Sequence, residues 1–110
     1  MSNHLDYEIN KELGECYLFM GELDKAEDYY TKAAASGEDQ SDPYMGLATI
    51  AMQRGDMDGA LTNYSKAATI QESDKALTGL GLVHMNQNDH EKAFSLFSRA
   101  LDINPANAVA

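Results

Sequence analysis

Chemistry on this 110-residue chain would have to come from three histidines, one cysteine and a surplus of carboxylates. His84 lies inside an apolar helical stretch, but it takes the place that an upstream copy of the same stretch gives to Tyr17. Packing, with one ring nitrogen hydrogen-bonded, explains it better than a general-base role. His4 stands near the terminus and His90 at the start of an expected helix, and no spacing joins either to Cys16. A single cysteine forms no intrachain disulfide and no metal cage, which suits a reducing compartment. Asp56-Met57-Asp58-Gly59 opens like a calcium loop but lacks the ligand spacing and begins a helix. No glycine-rich phosphate loop follows a strand. The expectation is a protein without catalytic residues, metal or cofactor.

Eighteen acidic against eight basic residues give a net charge of −10, which argues against nucleic acid or an anionic membrane as partner. Residues 1–40 carry −7 of it, with ten Asp/Glu against Lys11, Lys25 and Lys32. No run approaches the about 20 apolar residues that span a bilayer. The start, Met1-Ser2-Asn3-His4, has neither a basic nor an apolar leader region. A cytoplasmic location is the simplest expectation.

The elements that would hold any site are helices. Ile9, Leu13, Cys16, Tyr17 and Met20 recur at helical steps from Asp6 to Met20. Gly21 stops that helix, and a second runs from about Glu22 to Ser36, with acids weighted to its N-terminal half. Asp42-Pro43 opens the next, with Asp42 as expected N-cap, to about Arg54. Beyond Gly55 a fourth runs from Asp56 to Ile70. A fifth, capped by Ser73 or Asp74, reaches Gln87, and a sixth covers Asp89 to Ile103. Asn88 takes the place of Gly21 and Gly55, since asparagine best replaces glycine in a left-handed turn. Pro105 is the expected stop. Aligned on these turns the chain repeats with periods of 34 and 33. Helix pairs of that period cannot bury their apolar faces alone and must stack.

The repeat resembles the tetratricopeptide family. Its landmarks appear as Leu13-Gly14, Tyr17, Gly21, Ala26, Tyr30 and Ala33, with Asn10 in the aromatic slot and Glu38 in the proline slot. The second copy has Tyr44, Leu47-Ala48, Ala51, Gly55, Ala60, Tyr64 and Ala67. The third has Leu77, Leu80-Gly81, His84, Ala93, Phe97, Ala100 and Pro105. The resemblance implies an all-α right-handed solenoid of three antiparallel helix pairs, one domain over residues 1–110 with repeats at about 7–40, 41–73 and 74–107. The residues themselves give a reason for the pattern. Gly14, Ala48 and Gly81 are small where paired helices cross, facing Ala26, Ala60 and Ala93, and Tyr30, Tyr64 and Phe97 fill the space beside each crossing. Cys16, Ile50 and Val83 occupy equivalent places that should pack on the preceding unit.

In such a stack the first helix of each pair lines the concave side. Its outward face is expected to carry Lys11, Glu15, Leu18 and Phe19, then Met45, Thr49 and Met52, then Lys75, Thr78, Leu82 and Met85. The methionines would make an adaptable apolar trough for a partner's peptide or amphipathic helix. Some members of the family bind a chaperone's C-terminal carboxylate through Lys and Asn on the first unit, Asn on the second, and Lys with Arg on the third. Lys11 and Lys75 match two of these positions, but Glu15, Gly46 and Gly79 replace the amides and the guanidinium, so no such clamp is expected. At the far end Ala106 to Ala110 reads like the first turn of another helix. Without that helix, Leu96, Leu101 and Ile103 would lie uncovered, so either the array continues or copies associate there into a homo-oligomer. The reading is therefore a protein-interaction module, with a self-associating scaffold or a regulatory segment of a larger enzyme as alternatives.

Overall fold

A computed structural model of the chain describes residues 4–37 and 39–104. Six helices follow one another: α1 (His4–Phe19), α2 (Leu23–Ser36), α3 (Asp42–Arg54), α4 (Met57–Ile70), α5 (Asp74–Asn86) and α6 (His90–Ile103). Among the described residues there is no strand, and no helix is long and apolar enough to cross a membrane. The helices pair as α1–α2, α3–α4 and α5–α6, and the pairs stack through α2 on α3 and α4 on α5. The product is an all-α solenoid, 44 Å along its longest axis.

The three turns within the pairs are built alike. Gly21 (φ 81°), Gly55 (φ 80°) and Asn88 (φ 64°) adopt the left-handed conformation that ends each first helix. The next residue's N–H then reaches back to the helix: Glu22 donates to the Tyr17 carbonyl at 2.9 Å, Asp56 to Ala51 at 2.8 Å and Asp89 to His84 at 2.8 Å. Two of those residues also cap the second helix, Asp56 accepting from the Gly59 N–H at 3.0 Å and Asp89 from the Lys92 N–H at 3.3 Å. Glu22 makes no such bond, its longer side chain being a poor cap. Asp56→Ala is therefore expected to cost about 1 kcal/mol, read as a lowered urea midpoint, whereas Glu22→Ala leaves it nearly unchanged. The Asp56-Met57-Asp58-Gly59 stretch is thus a helix cap. Between pairs, Ser73 caps α5 through Ala76 at 3.1 Å. Ser41, not Asp42, holds the cap position of α3, without a side-chain bond, and Asp42 already belongs to the first turn. Glu38 and Pro105, expected in the proline slots, and the Ala106–Ala110 turn lie outside the described residues.

The core is divided by interface. Ile50 of α3 closes over Ala26 and Tyr30 of α2. Val83 of α5 joins Ala48, Ala51, Ala60 and Tyr64 of the second pair. The third cluster, Leu77, Leu96 and Ala100, stays within α5–α6. Leu96 was expected on an open flank; it is 9% exposed, turned inward against Leu77, whereas Phe94 (74% exposed) and Leu101 are exposed together on one side of α6 and Ile103 is exposed on the opposite side of its last turn. Cys16, equivalent to the buried Ile50 and Val83, is exposed because no described helix lies against that side of α1. Ile9, part of the same apolar series, is exposed for the same reason, and Met20, in the turn beyond α1, is exposed as its equivalents Arg54 and Gln87 are.

Candidate functional site

The two tyrosine rings join one pair to the next. Tyr30 packs on Gly14 within its own pair and also covers Gly46 of the next, where an added Cβ would fall inside the ring. Tyr64 covers Gly79 in the same way, and Phe97 covers Gly81 within its pair. These close approaches draw α3 toward α1–α2 and α5 toward α3–α4, and they shape the concave side.

There a cleft of about 440 Å³ opens between α1, α3 and the beginning of α5. It gathers Glu15 and Leu18 from α1, Met45 and Thr49 from α3, and Lys75 from α5, around the edge of Tyr30. Ser41, Asp42, Gln71 and Ser73 complete its wall. The last four come from the links between pairs and the first turn of α3, and a reading confined to helix faces passes over them. Burial pushes the Glu15 carboxyl above the usual carboxylate range, and the neighbouring Glu12 adds to the shift.

The other groove candidates lie elsewhere. Lys11 is drawn across to Asp42 and Glu8, at 3.7 Å from each, with its ammonium 5.8 Å from the Tyr7 ring centre. Met52 is half-buried against the α3–α4–α5 core, so its side chain is largely used by the fold. The Thr78 hydroxyl donates to its own helix, to the Asp74 carbonyl at 2.7 Å, as the hydroxyl of the cleft-lining Thr49 does to the Met45 carbonyl at 2.9 Å. Leu82 and Met85, each 41% exposed, sit further along α5, and Phe19, 95% exposed, projects from the end of α1. None of these three lines the cleft.

The interfaces also carry charge pairs. Arg54 donates to Glu27 at 2.9 Å and to Asp24 at 2.5 Å, tying the second pair to the first. Arg99 donates to Glu72 at 2.6 Å, and the Asn104 amide donates to Asp74 at 2.9 Å. His84 is half-buried with Nδ1 3.9 Å from Asp89 Oδ2, within the turn it helps to pack. Among the described residues no group of three or more His, Cys, Asp or Glu side chains is placed to hold a metal ion.

Stacked helix pairs with a cleft along their first helices define a helical-repeat scaffold for protein–protein interaction. The sequence model of the tetratricopeptide repeat matches residues 11–75 and again 45–108, and the chain belongs to that family. It is 33% identical over 106 residues to the BBSome complex member BBS4 of Bos taurus, covering 96% of this chain and 20% of that protein. The corresponding Xenopus tropicalis protein is 35% identical over 75 residues, 68% of this chain and 14% of its own length. The chain thus spans a fifth or less of these relatives. Among solved structures, the first repeat domain of Spaghetti (RPAP3) bound to the HSP90 peptide SRMEEVD superposes with a TM-score of 0.88 at 22% identity, over 94% of this chain and 82% of that one. The Arabidopsis OM64 domain superposes with a TM-score of 0.86 at 23% identity, over 91% and 84%. At those identities the likeness is one of fold.

Proposed function

We propose that the cleft between α1, α3 and α5 binds a peptide or helix of a partner protein, without catalysis. The observation that carries this reading is the convergence of side chains from the first helices of all three pairs on one concave cavity. The RPAP3 domain, solved with an HSP90 peptide, supports peptide capture as a use of this architecture. The chemistry of this cleft differs from what a C-terminal carboxylate needs. Glu15 repels an anion, Lys11 is engaged by Glu8 and Asp42, and Tyr30 and Tyr64 fill the space over Gly46 and Gly79 where further donors would stand. The ligand we infer sets an apolar side chain over Leu18 and Met45, with a neutral or basic group toward Glu15 and Asp42.

A second reading, association of copies through α6, rests on the exposed Phe94 and Leu101, which share one side of that helix. Light scattering over a concentration series separates the two. For the cleft, Thr49→Arg inserts a long cation from the middle of α3 and is expected to weaken partner capture about tenfold, roughly 1.4 kcal/mol, with helicity by circular dichroism unchanged. The pair Leu82→Glu and Met85→Glu, exposed on α5, reads whether the ligand runs beyond the cleft. Undiminished capture by Thr49→Arg sinks the cleft as the binding site.

A further inference from the structure

A different face of α1 from the one bearing Glu15 and Leu18 has a second, more specific vacancy. Leu5, Ile9 and Cys16 are exposed along it, and Ile9, Leu13 and Cys16 line a shallow apolar hollow edged by Glu8 and Glu12. In the later pairs the equivalent positions are interfaces. Pro43 and Ile50 of α3, and Ala76 and Val83 of α5, are buried. The second helix of the preceding pair lies on each of these helices. The apolar spacing of α1 is therefore that of a helix made to be covered.

What would cover it follows from one residue. Nine positions before each turn, α3 has Gly46 and α5 has Gly79, and each glycine receives the tyrosine ring of the covering helix. At the same place α1 has Glu12, which makes no ion pair among the described residues. A ring presented there as Tyr30 and Tyr64 are would meet the side chain and leave its carboxylate desolvated without a counter-charge. A Lys or Arg at the ring's position would instead lay its aliphatic stem over Ile9 and Cys16 and reach Glu12 with its charge. The same criterion disfavours a second copy, because Phe97 of α6 occupies the ring position and the copy brings a further −10 of charge.

We propose that this flank of α1 is a docking face for an amphipathic partner helix that carries an aliphatic stripe and, at the position matching Tyr30 and Tyr64, a Lys or Arg. Its recognition is the inverse of the internal interfaces: cation to carboxylate where they use ring to glycine.

Cys16 is the chain's one cysteine and stands on the face, so its alkylation rate reports occupancy. The probes are three stapled helical peptides with the α4 sequence Met57–Ile70, one unaltered, one with Tyr64→Lys and one with Tyr64→Glu. The Lys peptide is expected to slow alkylation about tenfold at saturation, and the other two to need about tenfold higher concentration for the same protection. Protein carrying Glu12→Gly should prefer the unaltered peptide, and Glu12→Gln, which keeps the size and removes the charge, should lose the preference for Lys. Thr49→Arg in the cleft should leave all three responses as they are. The proposal is overturned by equal protection from the three peptides, by no protection from any, or by a preference that survives Glu12→Gln. Protection that grows with the protein's own concentration in the absence of peptide overturns it in favour of a second copy.

Discussion

Tyr64→Ala should remove about 3–5 kcal/mol of stability. The ring is buried among Ala48, Ala51, Ala60 and Val83, side chains from three helices, and most of them are too small to close the gap it would leave. It is also the contact by which the second pair holds the third, through Gly79. Gly79→Ala should cost about 1–3 kcal/mol by itself, because the new methyl falls inside a ring that cannot leave without opening the core. With Tyr64→Ala already in place, the same change should cost nothing and can gain up to about 1 kcal/mol from the better helix propensity of alanine. A coupling of about 1–3 kcal/mol in the double-mutant cycle is thus expected, read from urea denaturation of the four proteins. If the two costs simply add, the ring and the glycine are not the contact that joins the pairs.

That contact shows what a sequence can and cannot carry. Gly21, Gly55 and Asn88 are legible because a left-handed turn admits few residue types, and once they are found the periods of 34 and 33 follow. Gly46 and Gly79 are visible as departures from a carboxylate-binding pattern, but their reason, a tyrosine ring from the neighbouring pair, is a property of two units at once. Lys11 fails in the same way as a groove residue: its own helix points to a ligand, whereas Asp42 of α3, which holds it, is 31 positions further along the chain. On α6 the apolar residues Phe94, Leu96, Phe97, Leu101 and Ile103 lie around much of the helix, so periodicity cannot say which side is open. Leu96 was misplaced because its equivalents, Tyr29 and Asn63, give no hint of the contact that Leu77 makes with it. The wall of the cleft was half legible. Glu15, Leu18, Met45, Thr49 and Lys75 come from helix faces, but Ser41, Gln71 and Ser73 come from links whose course no periodicity describes.

Alkaline pH should unfold the chain through Tyr7 and Tyr30. Both are buried, 5% and 3% exposed, and both phenols are pushed up to about 12. Burial is the main cause for each; Asp42 and Glu8 add to it at Tyr7, and Glu15 and Asp42 at Tyr30. The buried Tyr7 hydroxyl has no hydrogen-bond partner among the described residues. An unfolded tyrosine ionises near pH 10, hence between about pH 10 and 12 the unfolded chain has released protons that the folded chain retains. Stability contributed by the neutral phenols is therefore complete below about pH 10 and is lost as pH rises toward about 12. Each shift corresponds to about 2–3 kcal/mol, and two together rival the whole stability of a small domain. Helicity by circular dichroism should collapse in that interval, in step with a rise in tyrosinate absorbance. Tyr7→Phe removes one of the two titrations along with an unpartnered buried hydroxyl, so it should move the midpoint upward without loss of stability at neutral pH. Helices that survive past pH 12, or a midpoint indifferent to Tyr7→Phe, would show that these rings ionise without leaving the fold.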